Sequence, residues 1–113
     1  MALTRDSFLN FDAGSLKPEK VEVPILGGCC YVRRLSAGER DALENRIQRR
    51  KGRNARAEIV AAVAVDENGK RLFGSSDVED LAKLPVSALE PIVNAHLEVN
   101  AMSADDLADL EGN

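Results

Sequence analysis

Residues 27–44, GGCCYVRRLSAGERDALE, contain the change of period that decides the fold. Upstream, Val21, Val23 and Ile25 alternate with Glu22 and Pro24, and Cys30 and Val32 resume that alternation. A period of two belongs to a strand with one buried face. Gly27-Gly28 lies between the two runs and can supply the positive φ angles of a tight hairpin. Residues 19–26 and 29–34 therefore read as a β-hairpin. Pro24 has no N–H for a ladder, so its strand is an edge. The period then changes. Ser36-Ala37-Gly38-Glu39 is a capping box, in which a serine oxygen takes a free amide and a glutamate reaches back. A helix over about 37–51 is predicted, with Leu43 and Ile47 facing inward.

Gly52 and Asn54 break that helix, and a second is predicted over about 54–64. It carries Ile59, Val60, Val63 and several alanines, whose small side chains allow close approach of a neighbour. Asp66-Glu67-Asn68-Gly69 is a turn signal that can pair Ala64-Val65 with Leu72-Phe73. Ser76-Asp77-Val78-Glu79 reads as a second capping box, opening a short helix to about Leu84. Pro85 then starts a helix over about 86–100, in which Leu89, Ile92, Val93, His96 and Leu97 recur at helical spacing. Ser103 with Asp106 starts a last acidic turn. At the other end, Ser7, Phe8, Leu9 and Phe11 form a helical turn or a loosely docked arm, and Gly14, Ser15 and Pro18 are loop. The expected fold class is α+β, an N-terminal β-hairpin followed by a mainly α-helical domain. The 113 residues form one domain: an arm at 1–18, the hairpin at 19–35, a helical body at 36–101 and an acidic tail at 102–113.

Composition narrows the chemistry. Aromatic residues are limited to Phe8, Phe11, Tyr31 and Phe73, so the core is built from Leu, Val, Ile and Ala. The net charge is −4, but basic residues crowd the middle and acidic ones the end, a distribution that attracts a charged partner or a second copy. No stretch is long enough to span a bilayer. Arg5 and Asp6 interrupt any signal-peptide core, and two cysteines in a chain without a leader point to a reducing cytosol.

Adjacent Cys29 and Cys30 point to opposite faces of a strand and do not meet disulfide geometry. They read as small hydrophobes, one inward and one outward. His96 is the sole histidine, which leaves no zinc site with the usual ligand spacing and makes it a core or boundary residue. Asp66-Glu67-Asn68-Gly69 lacks EF-hand spacing. No glycine pattern cradles phosphate. No carboxylate stands out in an apolar run where burial would tune it for acid–base work. The chain is thus expected to be no enzyme and to use no cofactor or metal. The remaining chemical signal is RIQRRKGRNAR, residues 46–56, with Arg46, Arg49, Arg50 and Arg53 as candidate contacts. A helix C-terminus favours such cations structurally. Phosphate contact is the functional alternative, but no aromatics interleave for stacking bases.

The order of features resembles the tail assembly chaperones of long-tailed (siphovirus-type) bacteriophages and prophages. It is carried by VEVPILGGCCYVRRLSAGERDALE (21–44), a basic linker, AEIVAAVAVDENGKRLFGSSDVEDLAKLP (57–85), an amphipathic helix and MSADDLADLEGN (102–113). Its most telling pieces are the V-E-V-P strand, the Y-V-R-x-L-S-x-x-E-R-D junction and the D-E-N-G-K-R-L-F turn. One departure is Ile25-Leu26, where many members carry a bulky aromatic. The resemblance implies a protein that binds the long helical tape measure protein in the bacterial host cytoplasm, with the tail tube protein as a further partner. It keeps that client soluble until tube subunits polymerise, and is absent from the mature virion. It also implies a longer frameshifted product beginning near Glu111-Gly112-Asn113. Helix-in-groove binding suits such a client. The candidate contacts are the arm (Phe8, Leu9, Phe11) and the stripe Leu89, Ile92, Val93 and Leu97, unless that stripe is core. An edge strand at Val21 and Val23, with charges of opposite sign on the two halves, makes a homo-oligomer the expected assembly.

Overall fold

The structure, a computed structural model, describes residues 1–100. The acidic tail at 102–113 and the turn expected from Ser103 and Asp106 lie outside the described residues. The order is helix α1 (Arg5–Leu9), strands β1 (Glu19–Val23) and β2 (Gly28–Val32), helices α2 (Ala37–Arg49) and α3 (Ala55–Val63), strand β3 (Ala64–Val65), and helices α4 (Val78–Leu81) and α5 (Val86–Val99). This is the α+β fold with an N-terminal hairpin that the sequence predicts.

β1 and β2 pair antiparallel from Glu19–Val32 to Val23–Gly28, and β1 is an edge of the sheet. The turn differs from the expected one. Pro24–Leu26 makes a 3₁₀ turn closed by Gly27 at φ 74°, while Gly28 belongs to the strand. Proline fixes its own φ for such a turn, so only one glycine is needed in the left-handed region. Ile25 is thereby lifted out of the alternation and exposed.

β3 gives a second departure. Ala64 and Val65 pair with Val32 and Tyr31 of β2, which makes the sheet three-stranded in the order β1-β2-β3. The brief pairing expected across the Asp66–Gly69 turn is present as a bridge between Val65 and Arg71 and a hydrogen bond from the Leu72 amide to Ala64 O at 3.2 Å. Burial explains the preference. Ala64 and Val65 are fully covered and carry their backbone inward, where amides need ladder partners.

α3 lies at the centre. Every residue from Ala57 to Val63 is buried, so this helix is apolar nearly all round and is packed by α2, α4 and α5. Around it gather Val21, Val23, Val32, Leu43, Ile47, Leu81, Leu89, Ile92 and Val93 in one continuous core. α5 also crosses the sheet and runs through Pro91 without stopping. Proline withholds an N–H there, but the apolar face to either side is buried and holds the helix in place.

Two polar devices set the helix starts. Ser36 accepts from the Glu39 amide at 3.1 Å and Glu39 accepts from the Ser36 amide at 3.0 Å, the predicted capping box. The box predicted at Ser76 and Glu79 does not form. Asp77 instead accepts from the Gly74 amide at 2.8 Å, and a 3₁₀ turn over Ser75–Asp77 precedes α4. A carboxylate three residues from a flexible glycine reaches that amide with no side chain needed at the cap.

Candidate functional site

The arginines after β2 are built into the fold. The Arg33 backbone N–H donates to Val63 O at 3.0 Å and its Nε to Ala62 O at 2.9 Å. Arg71 donates from Nη2 to Ala61 O at 2.8 Å. These carbonyls are the last turn of α3, where the chain has run out of its own donors and the helix dipole is negative. Arg33 also meets Glu39 at 2.8 Å. The Ser36 amide, with that guanidinium second, holds the Glu39 carboxyl below the usual carboxylate range.

His96 is fully buried on α5. Its Nδ1 faces Asn100 Nδ2 at 2.9 Å. The Leu35 amide, which can only donate, fixes the Asn100 amide by pointing at Oδ1 from 2.8 Å. Asn100 therefore turns its NH₂ toward the ring, Nδ1 must accept, and the imidazole proton sits on Nε2. Burial first, and the nearby Arg40 charge second, push the His96 pKa down to about 4, so the ring is neutral at pH 7. It works as a core histidine in a clasp. Asn100 also receives Arg40 Nη1 on its carbonyl at 3.0 Å, and Arg34 reaches Val99 O at 3.1 Å. The end of α5 is thus tied to the start of α2.

Cys29 faces out, and Cys30 is half-buried with its thiol pKa raised, by burial first and then by Cys29. Low-pKa reactivity needs the opposite environment. Among the described residues no group of three His, Cys, Asp or Glu side chains is placed to hold a metal ion. No helix of the described residues is long and apolar enough to cross a membrane.

The basic segment divides into two sets. Arg46 and Arg50, one turn apart on α2, both reach Glu58 of α3, at 3.4 and 3.6 Å. Glu58 is only 4% exposed, the one buried carboxylate among the described residues. This corrects the expectation that no carboxylate sits in an apolar run. Glu58 lies in the first turn of α3, just before its apolar run from Ile59, and the two arginines satisfy it. The signal was present in sequence, since a lone acid follows six basic residues in eleven, but only the α2–α3 crossing shows which cations it meets. Arg50 also approaches Glu79 at 3.6 Å. Arg49 and Arg53 are exposed and have no ion-pair partner among the described residues.

The apolar candidates separate as well. Leu89, Ile92 and Val93 are buried and Leu97 is half-buried. The stripe is core and is not presented for a client in this conformation. Its regular spacing reflects packing on β1 and α3. The arm does the reverse. Phe8, Leu9 and Phe11 are 68, 63 and 61% exposed, and no residue of α1 is buried. Thr4 and Ser7 nonetheless cap this short helix reciprocally. A second apolar patch, not singled out from sequence, lies at the closed end of the hairpin, where Ile25, Leu26 and Leu72 are exposed. The missing signal was the 3₁₀ turn, which turns Ile25 and Leu26 outward. Between the arm and the sheet, Ala13, Gly14, the 16–18 segment, Tyr31, Arg33, Arg34 and the 67–69 turn border an open cleft of about 760 Å³.

No family model, curated protein or solved structure matches the chain. The surfaces therefore carry the functional reading.

Proposed function

We infer that this protein is an assembly chaperone that acts by reversible contact and performs no bond-making or bond-breaking. Its proposed client is the helical tape measure protein of a long-tailed phage, held in the host cytoplasm until the tail tube grows around it and released before the virion is complete. The observation that carries this reading is the ordered arm. Phe8 and Leu9 stand exposed on a capped helical turn and Phe11 stands exposed just past its end, attached to a body whose other large apolar groups mostly lie in its core. Exposed apolar groups of this kind mark interaction sites. A short apolar edge of this kind suits contact with the apolar face of a client helix.

The nucleic-acid alternative is weaker. Arg46 and Arg50 are engaged by Glu58, leaving Arg49, Lys51 and Arg53 as a small exposed cationic footprint on an acidic chain. Counterion release from so few contacts gives little affinity.

The test is co-expression with a tape measure protein of a long-tailed phage, chosen from a gene next to the one for this chain if one is found there. Co-purification and a gain in client solubility are expected, and Phe8→Ser with Phe11→Ser should abolish both while leaving the circular dichroism spectrum unchanged. An insoluble client in the presence of the wild-type chain would sink this reading.

A further inference from the structure

The end of α5 stands in the wall of a cleft. Val99 and Asn100 border about 610 Å³ of open space together with Leu16, Arg34, Leu35 and Arg40. Leu16 is 44% exposed, and Leu35 and Val99 are half-buried. This apolar surface lacks a full cover among the described residues. Its two cations differ in what they have left to offer. Arg40 is held by Glu44 at 3.0 Å and by Asn100 O at 3.0 Å. Arg34 is exposed and uses one N–H on Val99 O, with no carboxylate partner among the described residues. Leu16 and Arg34 also border the cleft between the arm and the sheet, where Lys17 is exposed and has no ion-pair partner among the described residues. The two clefts thus join along an edge that combines apolar surface with unneutralised positive charge. Of the carboxylates that border them, Glu44 is taken by Arg40, and neither Asp41 nor Glu67 pairs with Arg34 or Lys17.

Residues 101–113, AMSADDLADLEGN, follow directly on Asn100. They carry four carboxylates, Asp105, Asp106, Asp109 and Glu111, and no lysine or arginine. Leu107 and Leu110 are three apart and Asp105 and Asp109 four apart, so a helical period gives each pair a side of its own. One side supplies what Leu16 and Leu35 lack, and the other what Lys17 and Arg34 lack. Reach is ample, since the five residues from Asn100 to Asp105 span up to about 17 Å when extended. So short a tether keeps segment and cleft at an effective concentration on the order of millimolar, where weak contacts suffice. The exposed cations at 49–53 compete for the same carboxylates. α2 starts at the cleft, however, and they lie at its other end, ~18 Å away at 1.5 Å per residue. An exposed ion pair contributes little alone, whereas the cleft adds apolar burial.

We propose that residues 101–113 fold back over this cleft, with Leu107 and Leu110 against Leu16 and Leu35, and Asp105 and Asp109 toward Lys17 and Arg34. The occupant is part of the same molecule, so the contact is independent of any client.

Disulfide trapping in the full chain tests it, in a background of Cys29→Ser with Cys30→Ala. Ala108→Cys is combined in turn with Ala13→Cys, which borders the joined clefts, with Asn45→Cys on the exposed face of α2, and with Gln48→Cys beside the 49–53 cations. In a glutathione buffer the first pair is expected to close at least tenfold more readily than the other two, and to run as a monomer on a non-reducing gel. Asp105→Asn with Asp109→Asn, and separately Leu107→Ser with Leu110→Ser, should each bring it down to their level. Circular dichroism checks the fold, and Ser15→Cys replaces Ala13→Cys where the spectrum changes. Three pairs that close alike, a preference for either α2 site, a disulfide-linked dimer as the product, or a first pair that closes as readily in either tail variant would each overturn the proposal.

Discussion

The backbone N–H of Leu35 donates to Oδ1 of Asn100 at 2.8 Å, across 65 residues of chain. This bond joins the strand-to-helix junction to the end of the last described helix. It also decides the tautomer of a buried histidine, because the same asparagine turns its NH₂ to His96 Nδ1.

Replacing Asn100 with alanine should therefore cost more than an average polar deletion. It strands the Leu35 amide and the His96 Nδ1 acceptor in a partly buried site, and each orphan costs about 1–3 kcal/mol. A loss of about 2 kcal/mol or more in urea unfolding is expected. A change within about 0.5 kcal/mol, typical of an indifferent surface site, would show that the clasp carries no weight.

His96 predicts a pH dependence. Its folded pKa of about 4 lies below the unfolded value near 6.5. Between those values the unfolded chain binds more protons, so stability is full above about pH 6.5 and falls as pH drops through about 4. The total is about 3 kcal/mol, from roughly 2.5 pKa units at 1.36 kcal/mol each. His96→Gln should flatten the slope between pH 6.5 and 4.5, a window mostly above the carboxylates. An unchanged slope in that variant would assign the effect elsewhere.

The Glu58 pair separates structural from free arginines. Changing Arg46 and Arg50 together to alanine leaves a buried carboxylate unpaired. Fully buried pairs broken this way cost about 3–5 kcal/mol. Both guanidiniums are nearly half exposed, so about 2 kcal/mol is expected once solvent screening is allowed for. Arg49→Ala with Arg53→Ala should stay within about 0.5 kcal/mol. Equal losses from the two double variants, measured by chemical denaturation, would contradict the division.

The hairpin turn gives a matched pair of glycine changes. Gly27 has φ 74° with nothing near a new Cβ, so Gly27→Ala meets backbone strain alone and should cost about 1 kcal/mol. Gly28 lies in the strand with equally open space, and Gly28→Ala should be neutral or slightly stabilising. A reversed order in thermal melts would restore a turn centred on both glycines.

Much of the architecture was legible from local chemistry. The alternation of Val21, Val23, Cys30 and Val32 set the hairpin, the Ser36–Glu39 box set the start of α2, and the spacing of Leu89, Ile92 and Val93 set α5. Each depends on neighbours within a few residues, which is where periodicity and capping act. The inferred interaction surface was half legible, since Phe8, Leu9 and Phe11 stand out as apolar residues in a polar arm. The stripe on α5 was ambiguous, because one pattern serves a buried face and an offered one alike.

The sequence by itself determined the element types, most helix starts and the presence of an arm, because those follow from side-chain period and from hydrogen bonds a few residues long. Tertiary structure alone decided that Ala64-Val65 joins β2, that Glu58 is clamped by Arg46 and Arg50, that Asn100 closes on Leu35, and that the α5 stripe is core while Ile25 and Leu26 face solvent. Those outcomes rest on contacts between segments 12 to 65 residues apart, where burial and unpaired polar groups, not local preference, set the energy.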